Sequence, residues 1–210
     1  MKKIFALFAL MMVTVMGAKA QDLTDNYQRI YAGYTTYNLD ESKQGINDYT
    51  TQGFQVGYAY AFNITGHHAP LFLELGAEFN YGSKEKDGVT FSGSNVAIPL
   101  NITYKFGNEN FSVAPFVGEG LRVWTSMKAD NGTKTLNMFD ENENPFGESF
   151  TRVQAVLNAG VNFTIKQHLL IGYRFQVSTT SVEPKVEVGG VTVLDQKSDM
   201  AHSITVGYVF

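Results

Sequence analysis

The last strand-like stretch of the chain alternates. Met200, His202, Ile204, Val206, Tyr208 and Phe210 fall on one face, and Ala201, Ser203, Thr205, Gly207 and Val209 on the other. A period of two is that of a β-strand. The same period recurs along the chain in segments of roughly ten residues or more. It predicts strands over 27–38, 52–62, 71–81, 89–106, 111–125, 150–163, 169–178 and 200–210. The connections fall into two classes. Long polar segments, 40–51, 126–149 and 179–199, alternate with short ones, 63–70, 107–110 and 164–168, and 82–88 is a modest member of the long class. Helical periodicity is hard to find. An even number of strands with two classes of connection predicts an all-β fold, an eight-stranded antiparallel up-and-down barrel with both termini on the side of the short turns.

Alternation alone does not say which face is wet, because a soluble sandwich or a lipocalin-like barrel shows the same period with its apolar face inward. Side-chain volume separates the two. One face carries Phe54, Val56, Tyr58, Tyr60 and Phe62, then Leu71, Leu73, Leu75, Phe79 and Tyr81. The interior of an eight-stranded barrel is barely wide enough to be filled by side chains and could not hold so many rings. The opposite face carries Gly57, Ala59, Ala61, Gly76, Gly160, Gly172 and Gly207 with scattered single charges, the composition of a crowded lumen. Aromatics also gather at two levels, as interfacial girdles do. Tyr60, Phe62, Tyr104, Phe106, Phe111, Phe163, Tyr208 and Phe210 lie near the short turns, and Tyr37, Phe54, Tyr81, Phe91, Trp124, Phe150 and Phe175 near the long loops. The larger face is expected to meet lipid, which makes the barrel a transmembrane one.

The amino terminus fits that expectation. Met1-Lys2-Lys3 is a basic head, Ile4 to Met16 is apolar apart from Thr14, and Ala18-Lys19-Ala20 is a small-x-small cleavage site. Residues 1–20 are thus expected to be a cleaved signal peptide and 21–210 a single barrel domain. Without Lys2, Lys3 and Lys19 the 16 basic residues fall to 13 against 20 acidic ones, a net charge of −7. No Lys/Arg cluster survives, which argues against nucleic acid as a partner. With no cysteine there is neither a disulfide framework nor a thiolate metal site.

Two strands carry a family resemblance. Ala97-Ile-Pro-Leu-Asn-Ile-Thr-Tyr-Lys-Phe106 is similar to the Ile-Pro-Leu strand, and Val113-Ala-Pro-Phe-Val-Gly-Glu-Gly120 to the Pro-aromatic-x-Gly-x-Gly strand, of the porin-like outer-membrane β-barrel family common in Bacteroidetes. That family is related in architecture to small OmpX-type barrels. The likeness covers essentially all of 21–210 and specifies an architecture more firmly than an activity. It implies a cell-envelope protein of the Gram-negative outer membrane, with periplasmic termini and with Tyr208 and Phe210 as its signal to the barrel-insertion machinery. The family's Gly five residues before the final aromatic is Thr205 here. Pro99 and Pro115, which lack an N–H for the ladder, are expected to share a bulge that also accounts for Glu119 counting onto the lipid face.

Candidate chemistry is sparse. His67, His68 and His168 fall in short turns and His202 near the far end of the last strand, none with a Ser and an acid at triad spacing. Asp140-Glu-Asn142-Glu-Asn144 matches three ligand positions of a calcium loop, then fails at Pro145 and Thr151. No catalytic, cofactor or metal residue is assigned. The inward charges are more informative: Glu74, Glu78, Arg122, Arg152 and Arg174 count onto the lumen face with Gln55, Asn101, Gln154, Asn158 and Gln176. Buried charges must pair or contact trapped water, so these predict a polar plug, with Glu74 paired to Arg174 across the bore directly or through a neighbour such as Asn101 or Asn158, and Glu78 to Arg122 or Arg152 above. The pattern fits a non-enzymatic scaffold that sits in outer-membrane lipid and offers loops 40–51, 126–149 and 179–199 to an extracellular ligand or protein. A narrow porin or channel, a lipid-modifying enzyme and a soluble ligand-binding barrel are the alternatives.

Overall fold

The computed structural model describes residues 23–39, 49–66, 68–143, 150–181, 186–188, 191–194 and 198–210. Eight long strands carry the fold: β1 (Tyr27–Leu39), β2 (Tyr49–Asn63), β3 (Leu71–Lys86), β4 (Val89–Tyr104), β5 (Phe111–Asp130), β6 (Val153–Ile165), β7 (Leu169–Ser178) and β8 (Asp199–Val209). Each pairs antiparallel with the next in sequence, and β8 pairs with β1, so the eight strands close into a ring. Gln28 and Phe210 exchange backbone hydrogen bonds, which puts the first and last strand ends on one rim. The residues of the signal-peptide expectation, His67, Asn144, Pro145, most of loop 40–51 and residues 182–185, 189–190 and 195–197 of loop 179–199 lie outside the described residues, and the described part of that last loop holds a short hairpin, Val186–Val188 paired with Val191–Leu194.

Closure fixes the geometry of the bore. The Cα partners of Tyr27 run through Ala61, Glu74, Asn101, Gly118, Asn158, Gln176 and Ala201 back to β1 at Tyr37, ten residues above the start. Strands of such a barrel tilt by roughly 35–45°, so partners along the hydrogen-bond direction climb the barrel axis as they pass round it. Inward side chains alternate with an outer belt of exposed Tyr, Phe, Leu, Ile and Val, among them Tyr34, Phe54, Tyr58, Leu75, Ile98 and Ile204. Exposed apolar surface on this scale is what a lipid-facing wall requires.

Four expectations change. Residues 82–88 are not a loop: β3 and β4 continue to Lys86 and Val89 and turn through Asp87 and Gly88, both at positive φ (52° and 76°), as a two-residue hairpin demands. β5 likewise runs on to Asp130 and pairs there with a short strand, Thr135–Asn137, inside the segment expected to be loop. The prolines share no bulge. Opposite Pro99 the β3–β4 ladder skips Gly76 and Ala77 without changing register, because proline has no N–H to donate, and Pro115 lies opposite Val161. The bulge is at Thr125, the extra residue between Ser94↔Ser126 and Asn95↔Trp124. Finally, Tyr37 and Trp124 are not girdle residues. They share strand parity with Arg29 and Arg122, both turn inward, and both are buried.

Candidate functional site

The lumen is a stack of side chains with charges at three levels. Its floor, at the rim of the termini, is apolar: Tyr27, Ala61, Phe72, Leu170 and Val209 pack together, Tyr27 meets Phe72 edge-on at 5.1 Å, and Lys105 stands 4.9 Å from the Tyr27 ring. Just above, Arg29 of β1 grips Glu74 of β3 with two bonds, Nε to Oε2 at 2.9 Å and Nη2 to Oε1 at 2.6 Å, and Asn101 donates to the same carboxylate at 3.3 Å. Paired forks of this kind are the strongest guanidinium–carboxylate geometry.

The middle level crosses the whole bore. Arg174 of β7 donates through Nη1 and Nη2 to Glu78 of β3, the Nη2 bond at 2.7 Å, and Tyr31 of β1 donates its hydroxyl to Glu78 as well. Arg174 also reaches Gln55 of β2 at 2.8 Å. The room for this comes from glycine. Tyr31 lies opposite Gly57 on one side and Gly207 on the other, and a Cβ on Gly57 would stand 2.6 Å from the Tyr31 ring.

At the upper level Arg122 of β5 donates to Asp199 of β8 at 2.6 Å, and Gln154 holds Asp199 from β6 at 2.7 Å. Trp124 donates its indole N–H to Gln154 at 2.6 Å, and the Arg122 guanidinium lies 5.0 Å from the Tyr37 ring. Gln176 bonds Asn158 at 2.6 Å, and Asn80 bonds Asn95 at 3.0 Å. Every carboxylate in the bore thus faces a guanidinium, which removes the main penalty on buried charge.

The structure places Glu74, Glu78, Asn101, Arg122, Asn158, Arg174 and Gln176 in the lumen, but pairs them differently from the expectation. Glu74 bonds Arg29, not Arg174, and Glu78 bonds Arg174 rather than Arg122 or Arg152. Counted from Leu71 and Leu169, Arg174 stands midway between Glu74 and Glu78, and Arg29, absent from the expectation, already fills Glu74 with two bonds, which leaves Glu78 to Arg174. Arg152 is not lumenal at all. It precedes β6, is exposed, stacks its guanidinium 4.1 Å from the Phe139 ring and donates to the Trp124 carbonyl at 3.4 Å. Arg29, Tyr31 and Asp199 were missed: Arg29 and Tyr31 share the parity of the buried Thr35, on a strand whose faces were not assigned, and Asp199 shares that of Ala201 and Ser203.

Outside the lumen, His168 hydrogen-bonds the Val209 carbonyl at 3.0 Å and stacks on Tyr208 at 5.0 Å, with Phe210 5.1 Å beyond. His202 stands on the outer wall, 2.8 Å from the Tyr173 hydroxyl. In the acidic segment, Asp140 accepts the Asn142 N–H at 2.9 Å and Glu143 that of Asn137 at 3.0 Å, so two of its carboxylates hold turns. Asp130 accepts the Gly132 N–H at 2.7 Å and the Thr135 hydroxyl at 2.9 Å, and these bonds hold its carboxyl below the usual range. At the rim of the long loops, the far ends of β3, β4 and β5 and the strand Thr135–Asn137 make a side-by-side extension of the wall.

The family described as outer membrane protein beta-barrel domain matches residues 5–210. Among solved structures, the chain is similar to Ail, the attachment invasion locus protein of Yersinia pestis, at 15% identity and a TM-score of 0.52 over 89% of this chain and 99% of that one. The same protein in complex with the heparin analogue sucrose octasulfate matches at 16% identity and a TM-score of 0.50, over 89% and 99% of the two chains. The outer membrane enzyme PagL matches at 10% identity and a TM-score of 0.50, over 86% and 97%. No curated protein matches.

Proposed function

This chain belongs to the outer membrane protein beta-barrel domain family, and on that premise we propose that it is a non-enzymatic scaffold whose outer loops carry surface recognition. The observation that carries this reading is the filled bore. Three ion pairs, each bonded across it between different strands, occupy successive heights above an apolar floor. A barrel closed in this way works at its ends. The end with material to offer is the rim where β3, β4 and β5 extend, and Ail bound to a sulfated heparin analogue is a precedent for a small barrel with a ligand. The termini then face the periplasm, residues 1–20 direct export, and Tyr208 and Phe210 present the last strand to the insertion machinery.

The test has two parts. In planar bilayers the purified barrel conducts little or nothing, whereas steady ohmic channels at modest voltage would sink the scaffold reading. On cells, a bound surface ligand is lost when residues 126–149 are replaced by a short turn, and retention would move recognition elsewhere.

A narrow channel is the second reading. Gln55 Nε2, Asn101 Oδ1, Asn158 Nδ2 and Arg174 Nε are buried in the bore without a protein partner, which suits a file of waters beside the ion pairs. The likeness to PagL is one of fold, and here the outer-wall His202 has a tyrosine hydroxyl rather than a carboxylate as its partner.

A further inference from the structure

Glu119 stands on the outer wall. The β4–β5 register is unbroken from Asn95 to Thr103, so no bulge turns Glu119 inward, and its Cα partners are Leu100 of β4 and Leu157 of β6, both exposed apolar residues. Along its own strand it lies between Val117, 62% exposed, and Leu121, 53% exposed. The outward positions around it on the neighbouring strands, Ile98, Leu100 and Ile102 on β4 and Ala155, Leu157 and Ala159 on β6, carry no polar group. Among the described residues nothing hydrogen-bonds or ion-pairs with its carboxyl. Every acid inside the bore has a guanidinium, and this acid in the apolar belt has none.

Two small side chains also stand beside it. β1, β2 and β3 present Tyr34, Phe54, Tyr58 and Phe79 to lipid, whereas β6 presents Ala155 and Ala159 beside Glu119. We propose that this face of β4, β5 and β6 is a contact between two copies of the barrel in the membrane, with the two Glu119 carboxyls bonded to each other across a two-fold axis. An unpaired charge in hydrocarbon is expensive, and the polar group in such a place needs a partner. A neutral carboxyl has one donor and acceptor capacity besides, so it is complementary to itself. Copies inserted in the same direction carry Glu119 at the same depth, and an isologous contact brings a residue near the axis against its own copy. The small side chains of β6 let two walls approach closely enough for the carboxyls to meet.

The chain has no cysteine, so single cysteines report proximity cleanly. The full mature barrel is reconstituted in phospholipid vesicles with Cys at position 117 or, on the opposite wall, at position 58. Oxidation should cross-link Val117→Cys into dimers and leave Tyr58→Cys monomeric. In the Val117→Cys background, Glu119→Gln, which keeps a donor and an acceptor, should retain the dimer. Glu119→Leu should lower its yield at least tenfold at the same protein-to-lipid ratio, while circular dichroism and protease resistance show an intact barrel. Counting photobleaching steps in the same vesicles gives an independent stoichiometry. Monomers at every density, equal cross-linking through position 58, or a Glu119→Leu variant that dimerises like the parent would each overturn the proposal.

Discussion

The bore-spanning pair Glu78–Arg174 is the most exposed to measurement, because parity alone does not select it over Glu74–Arg174. Glu78 is buried and accepts from both Arg174 terminal nitrogens and from Tyr31, while Arg174 has Gln55 as its other side-chain acceptor. Glu78→Gln leaves a buried guanidinium facing two amides, and Arg174→Met leaves a buried carboxylate with one hydroxyl. Each should destabilise the barrel by about 3–5 kcal/mol, the cost of stranding one member of a buried pair. The double variant removes both charges and should be nearly neutral, so the coupling should be about 6 kcal/mol or more. Urea unfolding from lipid vesicles reads this directly. The single tryptophan, Trp124, reports it from inside the bore, 5.8 Å from the Tyr37 ring. A companion cycle on Glu74 and Arg174, which share no bond, should be additive to within about 0.5 kcal/mol. Additivity in the first cycle, or strong coupling in the second, would refute the pairing.

Other substitutions probe the wall, the bore and the rim. Leu75 and Ile98 are 48% and 50% exposed on the outer face, so Leu75→Arg or Ile98→Arg should cost about 2–4 kcal/mol if they sit near the bilayer midplane, and unchanged unfolding in vesicles would contradict a lipid-facing wall. Gly57→Ala puts a methyl where the Tyr31 ring lies and should cost about 1–3 kcal/mol, with the Tyr31→Phe/Gly57→Ala double variant showing whether lost contact with Glu78 contributes. The Asp130 carboxyl is held below its ordinary value near 3.8 by the Gly132 N–H first and the Thr135 hydroxyl second, so its support of the turn should be complete above that pH and vanish as the pH falls through the lower folded value. The Gly132 amide resonance followed by NMR from pH 5 to 2 checks the sign, and a midpoint above 3.8 would reverse it.

Much of the fold was legible because a period of two survives in any strand with one wet and one dry face. The strand count, the closed order and the side that meets lipid all follow from that period together with side-chain volume. The boundaries were less legible at the long-loop rim. There β3, β4 and β5 leave the membrane and their alternation fades, as in Ser83-Lys-Glu-Lys86, where both faces are polar. Asp87-Gly88 was the readable signal, since that dipeptide accommodates the positive φ of a two-residue turn. The bulge at Thr125 had no such signal. It moves one hydroxyl to the side and bonds it to Ser94, and a Thr in a strand is unremarkable by composition.

The interior shows where reading along the strand stops being sufficient. Parity decides that Arg29, Glu74, Glu78 and Arg174 all point inward, but height alone leaves Arg174, five residues from the start of β7, between Glu74 and Glu78, three and seven residues from the start of β3. Arg29 of β1 settles the choice, because it holds Glu74 from two strands away and leaves Glu78 to Arg174, four strands away. A slip of the register by one residue would turn these side chains to the outer face, and a slip by two would carry the acids past their guanidiniums. The three ion pairs thus disfavour slipped registers, a role separate from any net contribution to stability, which buried ion pairs often lack.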